Sequence, residues 1–173
     1  DCASLETIEW GGKEAFIGDQ AFLRCTSLKD ISIPDSVTSI GCSFQDCKNL
    51  TNVVFGVGSK SIGKTCFTGC TKLSSVTLGD SLQSIGESCF SGCYELRKVM
   101  MPDTLAVLGN YAFSDCSRIT DVKIGAKVKI IGAGAFLDCA KLTNIVWGAN
   151  NEVVGESAFM RCSGLRELRL PNT

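Results

Sequence analysis

The 173-residue chain contains no histidine, which removes the commonest general base and the commonest metal ligand of protein chemistry. Triads that depend on histidine are excluded. A charge excess of either sign is also missing. The 17 Lys and Arg stand against 18 Asp and Glu, a net charge of -1, so there is no overall basic field for nucleic acid or anionic lipid. No apolar run approaches the roughly 18 residues that a membrane span needs, so membrane insertion is not expected. The chain opens at Asp1, without a methionine or a signal-like segment, and we read it as a single domain, residues 1–173, cut from a longer chain. No triad, metal set or phosphate loop can be assembled from what remains, so neither an enzyme nor a bound cofactor is expected.

Cysteine is abundant, with 11 in the chain. In a short secreted chain this would suggest a disulfide scaffold, but the spacing points elsewhere. Cys2, Cys25, Cys47, Cys70, Cys93, Cys116, Cys139 and Cys162 recur every 23 residues, with one step of 22. Phe22, Phe44, Phe67, Phe90, Phe113, Phe136 and Phe159 each lie three residues before a cysteine, and an Ile or Leu lies three after. An Ile-Gly step, or its Leu-Gly or Val-Gly variant, opens each copy. A fixed internal period is the signature of a repeat array. A partial first unit, with Cys2, Leu5, Ile8 and Trp10, brings the number of units to about eight.

Within a unit, Leu28, Ile31 and Ile33 follow the spacing L-x-x-I-x-I, and polar Asp30 and Ser32 alternate with the last two. A period of two predicts a short strand. Upstream, Ala21, Cys25 and Leu28 stand at i, i+4 and i+7, which predicts two turns of helix over residues 19–27. Gly18 and its equivalents should bend the chain before that helix, and Pro34 with Asp35, or Gly79 with Asp80, after the strand. No unit can bury its apolar side alone. Stacking at the 4.8 Å strand spacing would pair the strands in parallel and align Phe, Cys, Leu and Ile as core columns.

The unit I-G-x-x-A-F-x-x-C-x-x-L-x-x-I-x-I-P, as in Ile17 to Pro34, resembles the BspA-type (Treponema-type) leucine-rich repeat over nearly the whole chain. The resemblance implies a curved, right-handed solenoid of the α/β class, with about eight 23-residue repeats and a parallel sheet on the concave face. It also implies a secreted or cell-surface setting and an adhesin-like or ligand-binding role without catalytic residues. Because nothing after Leu170 resembles a polar cap and the first unit is truncated, self-association through uncapped ends is a further expectation.

Departures from the repeat carry their own expectations. Val37, Leu82, Leu105 and Val128 follow the last strand anchor by four residues, but Glu14, Ser59 and Asn151 replace the aliphatic in three units. In those same units the anchor is aromatic: Trp10, Phe55 or Trp147. The larger ring should fill the space that the missing aliphatic leaves. One residue is missing between Ile40 and Phe44, so Cys42 should fall off the columns with a local distortion. Cys66, Cys70, Cys89 and Cys93 could present four sulfurs to zinc. Cys66 and Cys89, however, share a column with Ala21, Ala112, Ala135 and Ala158, and the simpler reading is a requirement for a small buried side chain. Buried free thiols are expected throughout the main column.

The outward strand positions form the candidate binding face: Asn52, Val54, Thr77, Lys98, Met100, Asp121, Lys123, Asn144 and Val146, with Thr7, Glu9, Asp30, Ser32, Ser75, Glu167 and Arg169 on the same rows. They vary while the core repeats, and Val54, Met100 and Val146 suggest an apolar strip. The expected ligand is a protein or a glycan, not nucleic acid. The alternative is a structural spacer or assembly segment of a large multiprotein or fibrous complex.

Overall fold

The computed structural model describes residues 1–13, 15–149 and 153–168. Two rows of short strands run along it. One row holds the three-residue strands β2 (Asp30–Ser32), β4 (Asn52–Val54), β6 (Ser75–Thr77), β8 (Lys98–Met100), β10 (Asp121–Lys123) and β12 (Asn144–Val146). The other holds the two-residue strands β1 (Phe16–Ile17), β3 (Ser39–Ile40), β5 (Ser61–Ile62), β7 (Ser84–Ile85), β9 (Val107–Leu108), β11 (Ile130–Ile131) and β13 (Val153–Val154). All pairing is parallel and joins equivalent residues of neighbouring repeats, as in Ile31 to Val53 and Val53 to Val76. The two-residue strands make one continuous seven-stranded sheet, whereas the others divide into β2-β4-β6 and β8-β10-β12. Six turns carry both strands and β13 opens another. Of the eight units expected, the first, around Leu5 and Ile8, forms no strand, and the outer strand of the last, with Arg169 and Leu170, lies outside the described residues.

The helix expected over residues 19–27 is replaced by turns. The described residues contain strands and turns but no helix, so the fold is a parallel β-solenoid rather than an α/β one. Backbone torsion gives the reason. Gln20 and Arg24 are left-handed, with φ of 58° and 53°, a conformation that costs an L-residue roughly 1–2 kcal/mol and that an α-helix cannot pass through. Donors then alternate in direction. The Leu23 and Cys25 N–H groups reach back to the Gln20 and Phe22 carbonyls, while those of Gln20, Phe22 and Arg24 donate to the carbonyls of Cys42, Ser43 and Gln45 in the next unit. The segment is bonded along the solenoid instead of along itself. The left-handed residue before the cysteine recurs at Asp46, Gly69, Gly92, Asp115, Asp138 and Arg161, and the one upstream at Thr65, Ser88, Tyr111, Gly134 and Ser157. The unit with one residue fewer has no such residue upstream of Phe44. Cys42 is displaced there as expected, half-buried with its sulfur 2.9 Å from the Thr65 hydroxyl.

Five phenylalanines, Phe44, Phe67, Phe90, Phe113 and Phe136, are fully buried. The column from Phe22 to Phe159 stacks with centroids 5.0–5.6 Å apart and planes within 3–8°. The repeat spacing sets this geometry. Trp10, Phe55 and Trp147 pack edge-on against Phe22, Phe67 and Phe159 at 5.8–5.9 Å. The exchange of volume is visible in full at Phe55, where the ring is buried and Ser59 occupies the aliphatic position with its hydroxyl donating to the Val37 carbonyl at 3.2 Å. Glu14 and Asn151 lie outside the described residues.

From Gly86 onward the glycine of the Ile-Gly step serves close approach, whereas a Cβ at Gly18 would meet only the Phe16 ring, at 3.6 Å. A Cβ at Gly86, Gly109, Gly132 or Gly155 would stand 2.5–2.6 Å from backbone of the preceding unit, which leaves no room for any other residue.

Candidate binding face

The three-residue strands present two side chains outward and one inward. Val53, Val99 and Val122 are buried at the strand centres, and the flanking residues stand in exposed or half-exposed columns. Of the nine expected face residues, six come together: Lys98, Met100, Asp121, Lys123, Asn144 and Val146 line one recess of about 190 Å³ with Val122. Asn52, Val54 and Thr77 lie on the other three-stranded sheet. Val54, Met100 and Val146 are all exposed, Met100 by 57% and Val146 by 51%. They do not form a continuous strip, because Thr77 neighbours Val54 and Lys123 separates Met100 from Val146 in the register. Arg169 lies outside the described residues.

Polar contacts hold this recess in shape. Asp121 accepts hydrogen bonds from the Thr120 hydroxyl at 2.6 Å and the Asn144 amide at 3.3 Å. These bonds, followed by the nearby Lys98 charge, keep its carboxyl below the usual range. Lys123 reaches Asp103 at 3.3 Å. The backbone N–H of Ala126 and then Lys123 lower the Asp103 carboxyl in the same way. At 190 Å³ the recess is smaller than the roughly 300 Å³ at which small-molecule pockets begin.

A seam divides the face. β6 and β8 are not hydrogen-bonded to one another. At other steps the Phe55 N–H donates to Thr77 and the Thr120 N–H to Arg97. No equivalent bond joins Leu78 to Met100 or Arg97 to Ser74 among the described residues. Recesses of about 350 and 280 Å³ flank the seam and share Val76 and Met100. A further recess of about 470 Å³, around Trp147 and Arg166, belongs to the last described turn.

Three residues beside the face escaped strand periodicity because they lie in the segment that precedes each strand. Arg97, Arg118 and Lys141 line a recess of about 420 Å³ together with Lys98 and Thr120. The signal for them was the columns two and four residues after each cysteine, which hold Arg118 and Lys141, and Arg97.

Most of the cysteines belong to the core. All eleven are free, and nine are buried. From Cys47 to Cys162 each column thiol donates to the carbonyl of the preceding unit's phenylalanine at 3.1–3.4 Å. Burial pushes the Cys47 and Cys66 thiols up to about 12. No three His, Cys, Asp or Glu side chains are placed to share a metal ion among the described residues, and no helix among them is long and apolar enough to cross a membrane. The Asn49 amide of the sequon Asn49-Leu50-Thr51 donates to the Thr26 carbonyl at 2.7 Å.

The BspA type leucine-rich-repeat pattern matches six copies over residues 1–43 and 41–166. Among solved structures, the leucine-rich-repeat protein of Treponema pallidum is 31% identical with a TM-score of 0.83, over 88% of this chain and 72% of its own. A leucine-rich cell surface protein of Faecalibacterium prausnitzii is 28% identical with a TM-score of 0.75, over 87% of this chain and 41% of its own. No curated protein matches the chain.

Proposed function

Because the chain belongs to the BspA type leucine-rich-repeat family, we propose that it is a non-enzymatic recognition module that binds a protein or glycan partner through the face of β8, β10 and β12. One observation carries this reading. Six side chains that the repeat leaves free to vary converge on one recess of mixed charge and apolar surface, held by the Thr120–Asp121–Asn144 bonds. A partner would insert an anchoring group between Met100 and Val146 and meet Lys98, Asp121 and Lys123 around it. The cell-surface description of the Faecalibacterium relative favours an extracellular, adhesin-like setting.

A second reading, a spacer or assembly segment, draws on the seven-stranded sheet. Val107, Ile130 and Val153 are in register on the seven-stranded sheet and 47–49% exposed, an apolar column suited to lateral docking.

Binding to arrays of extracellular proteins and glycans separates the two. The variant Lys98→Ala, Met100→Ser, Asp121→Ala, Lys123→Ala should lose capture by about tenfold or more, while Val107→Ser, Ile130→Ser should capture as the parent does. The reverse pattern, or self-capture lost only in the second variant, would replace recognition with assembly.

A further inference from the structure

We propose that the recess walled by Arg97, Lys98, Arg118 and Lys141 is a subsite for a sulfated polysaccharide. This rests on the recognition reading above and adds a ligand class to it. The walls hold four cations and the Thr120 side chain around about 420 Å³, and no carboxylate. That volume falls within the range of ligand sites.

The cations come from three successive turns. Lys98 is paired in register with Asp121, and Asp121 with Asn144. Arg97 therefore stands beside Thr120, and Arg118 beside Lys141, one strand spacing of about 4.8 Å apart. Charge is poorly compensated here although the whole chain is near neutral. Arg118 is ion-paired with Glu95, and Asp121, held by Thr120 and Asn144, feels Lys98. Arg97, Lys98 and Lys141 have no ion-pair partner among the described residues. Like charges held on adjacent turns repel, and anions seated between them relieve that repulsion.

The arrangement favours a linear polymer over a single anion, because its charges are spread along the solenoid axis. Guanidinium and ammonium groups suit sulfate and carboxylate oxygens, and the threonine hydroxyl suits those of a sugar. No aromatic ring lines the recess, so single-stranded nucleic acid would lack the stacking platform on which such binding relies.

The test measures binding of a heparin oligosaccharide, its desulfated form and single-stranded DNA to the parent chain, to Arg97→Ala, Lys141→Ala, and to Val107→Ser, Ile130→Ser on the seven-stranded sheet. All four substituted side chains are exposed, and unchanged thermal unfolding checks that the fold is intact. The proposal expects heparin binding that weakens with salt, falls about tenfold or more in the Arg97/Lys141 variant, survives in the Val107/Ile130 variant and is absent for the desulfated sugar. Equal binding of the desulfated sugar, equal binding of DNA, no heparin binding, or no loss in the Arg97/Lys141 variant would overturn it. If heparin binding behaves as expected while array capture is insensitive to face substitutions, the face reading fails and the polyanion subsite stands.

Discussion

At the scale of single residues, the cysteine column shows how one position can serve packing and bonding together. The thiol is small enough to stack at every repeat, and its S–H satisfies a phenylalanine carbonyl that a methyl group would leave with one fewer partner. The small-residue column tolerates more variety, with Cys66 and Cys89 standing where Ser43, Ala112 and Ala135 are also buried. Burial makes these thiols sensitive to alkali. A folded-state value of about 12 for Cys66 lies above the roughly 8.5 of a free thiol. Its contribution is therefore complete below about pH 8.5 and is lost as pH rises toward 12, because the unfolded chain releases its proton first. In reductant, the denaturant midpoint should fall between pH 8 and pH 10.5, by less in Cys66→Ala than in the parent. An identical fall in both would show that this thiol is not the group responsible.

At the scale of the element, turns and strands differed in how readable they were. The strands were legible because period-two alternation at Ile31 and Ile33, between polar Asp30 and Ser32, has only one structural meaning when it recurs every 23 residues. The segment before them was misread because the i, i+4, i+7 spacing of Ala21, Cys25 and Leu28 is met equally by a helix and by two turns reversed at left-handed residues. The missing signal was present at the position before each cysteine, where Asp46, Gly69, Gly92, Asp115 and Asp138 are residue types that favour the left-handed region. The seam between β6 and β8 had no signal, since both strands keep the repeat motif and only their hydrogen bonding differs. It has a measurable consequence. The amides of Leu78 and Arg97, which lack the cross-repeat bond, should exchange with solvent faster than those of Phe55 and Thr120, which have it. Equal protection at the four positions would mean that the sheet is continuous.

At the scale of the whole molecule, stacking turns a one-dimensional repeat into a surface. Residues 23 apart in sequence become neighbours across a strand pair, so a face written one or two residues per repeat is assembled only by the register. The outward positions of the candidate site could therefore be read from the sequence. Which of them meet could not, because the seam leaves Asn52, Val54 and Thr77 on one sheet and gathers Lys98 to Val146 on the other. The turn cations were missed because they fall outside the alternation that defines a strand. The core, by contrast, is closed along its middle: Phe44 to Phe136 and the column thiols from Cys25 to Cys139 are buried, and they form the support for the face proposed to bind.

The central claim, that the face of β8, β10 and β12 is where a partner sits, is tested most directly by lysine acetylation footprinting with and without the ligand captured on the arrays. Lys98 and Lys123 lie in the recess, while Lys60 and Lys129 precede β5 and β11 on the seven-stranded sheet. The account predicts that ligand slows acetylation of Lys98 and Lys123 and leaves Lys60 and Lys129 unchanged. Protection of Lys60 and Lys129 with Lys98 and Lys123 still reactive would contradict it and move the interface to the seven-stranded sheet.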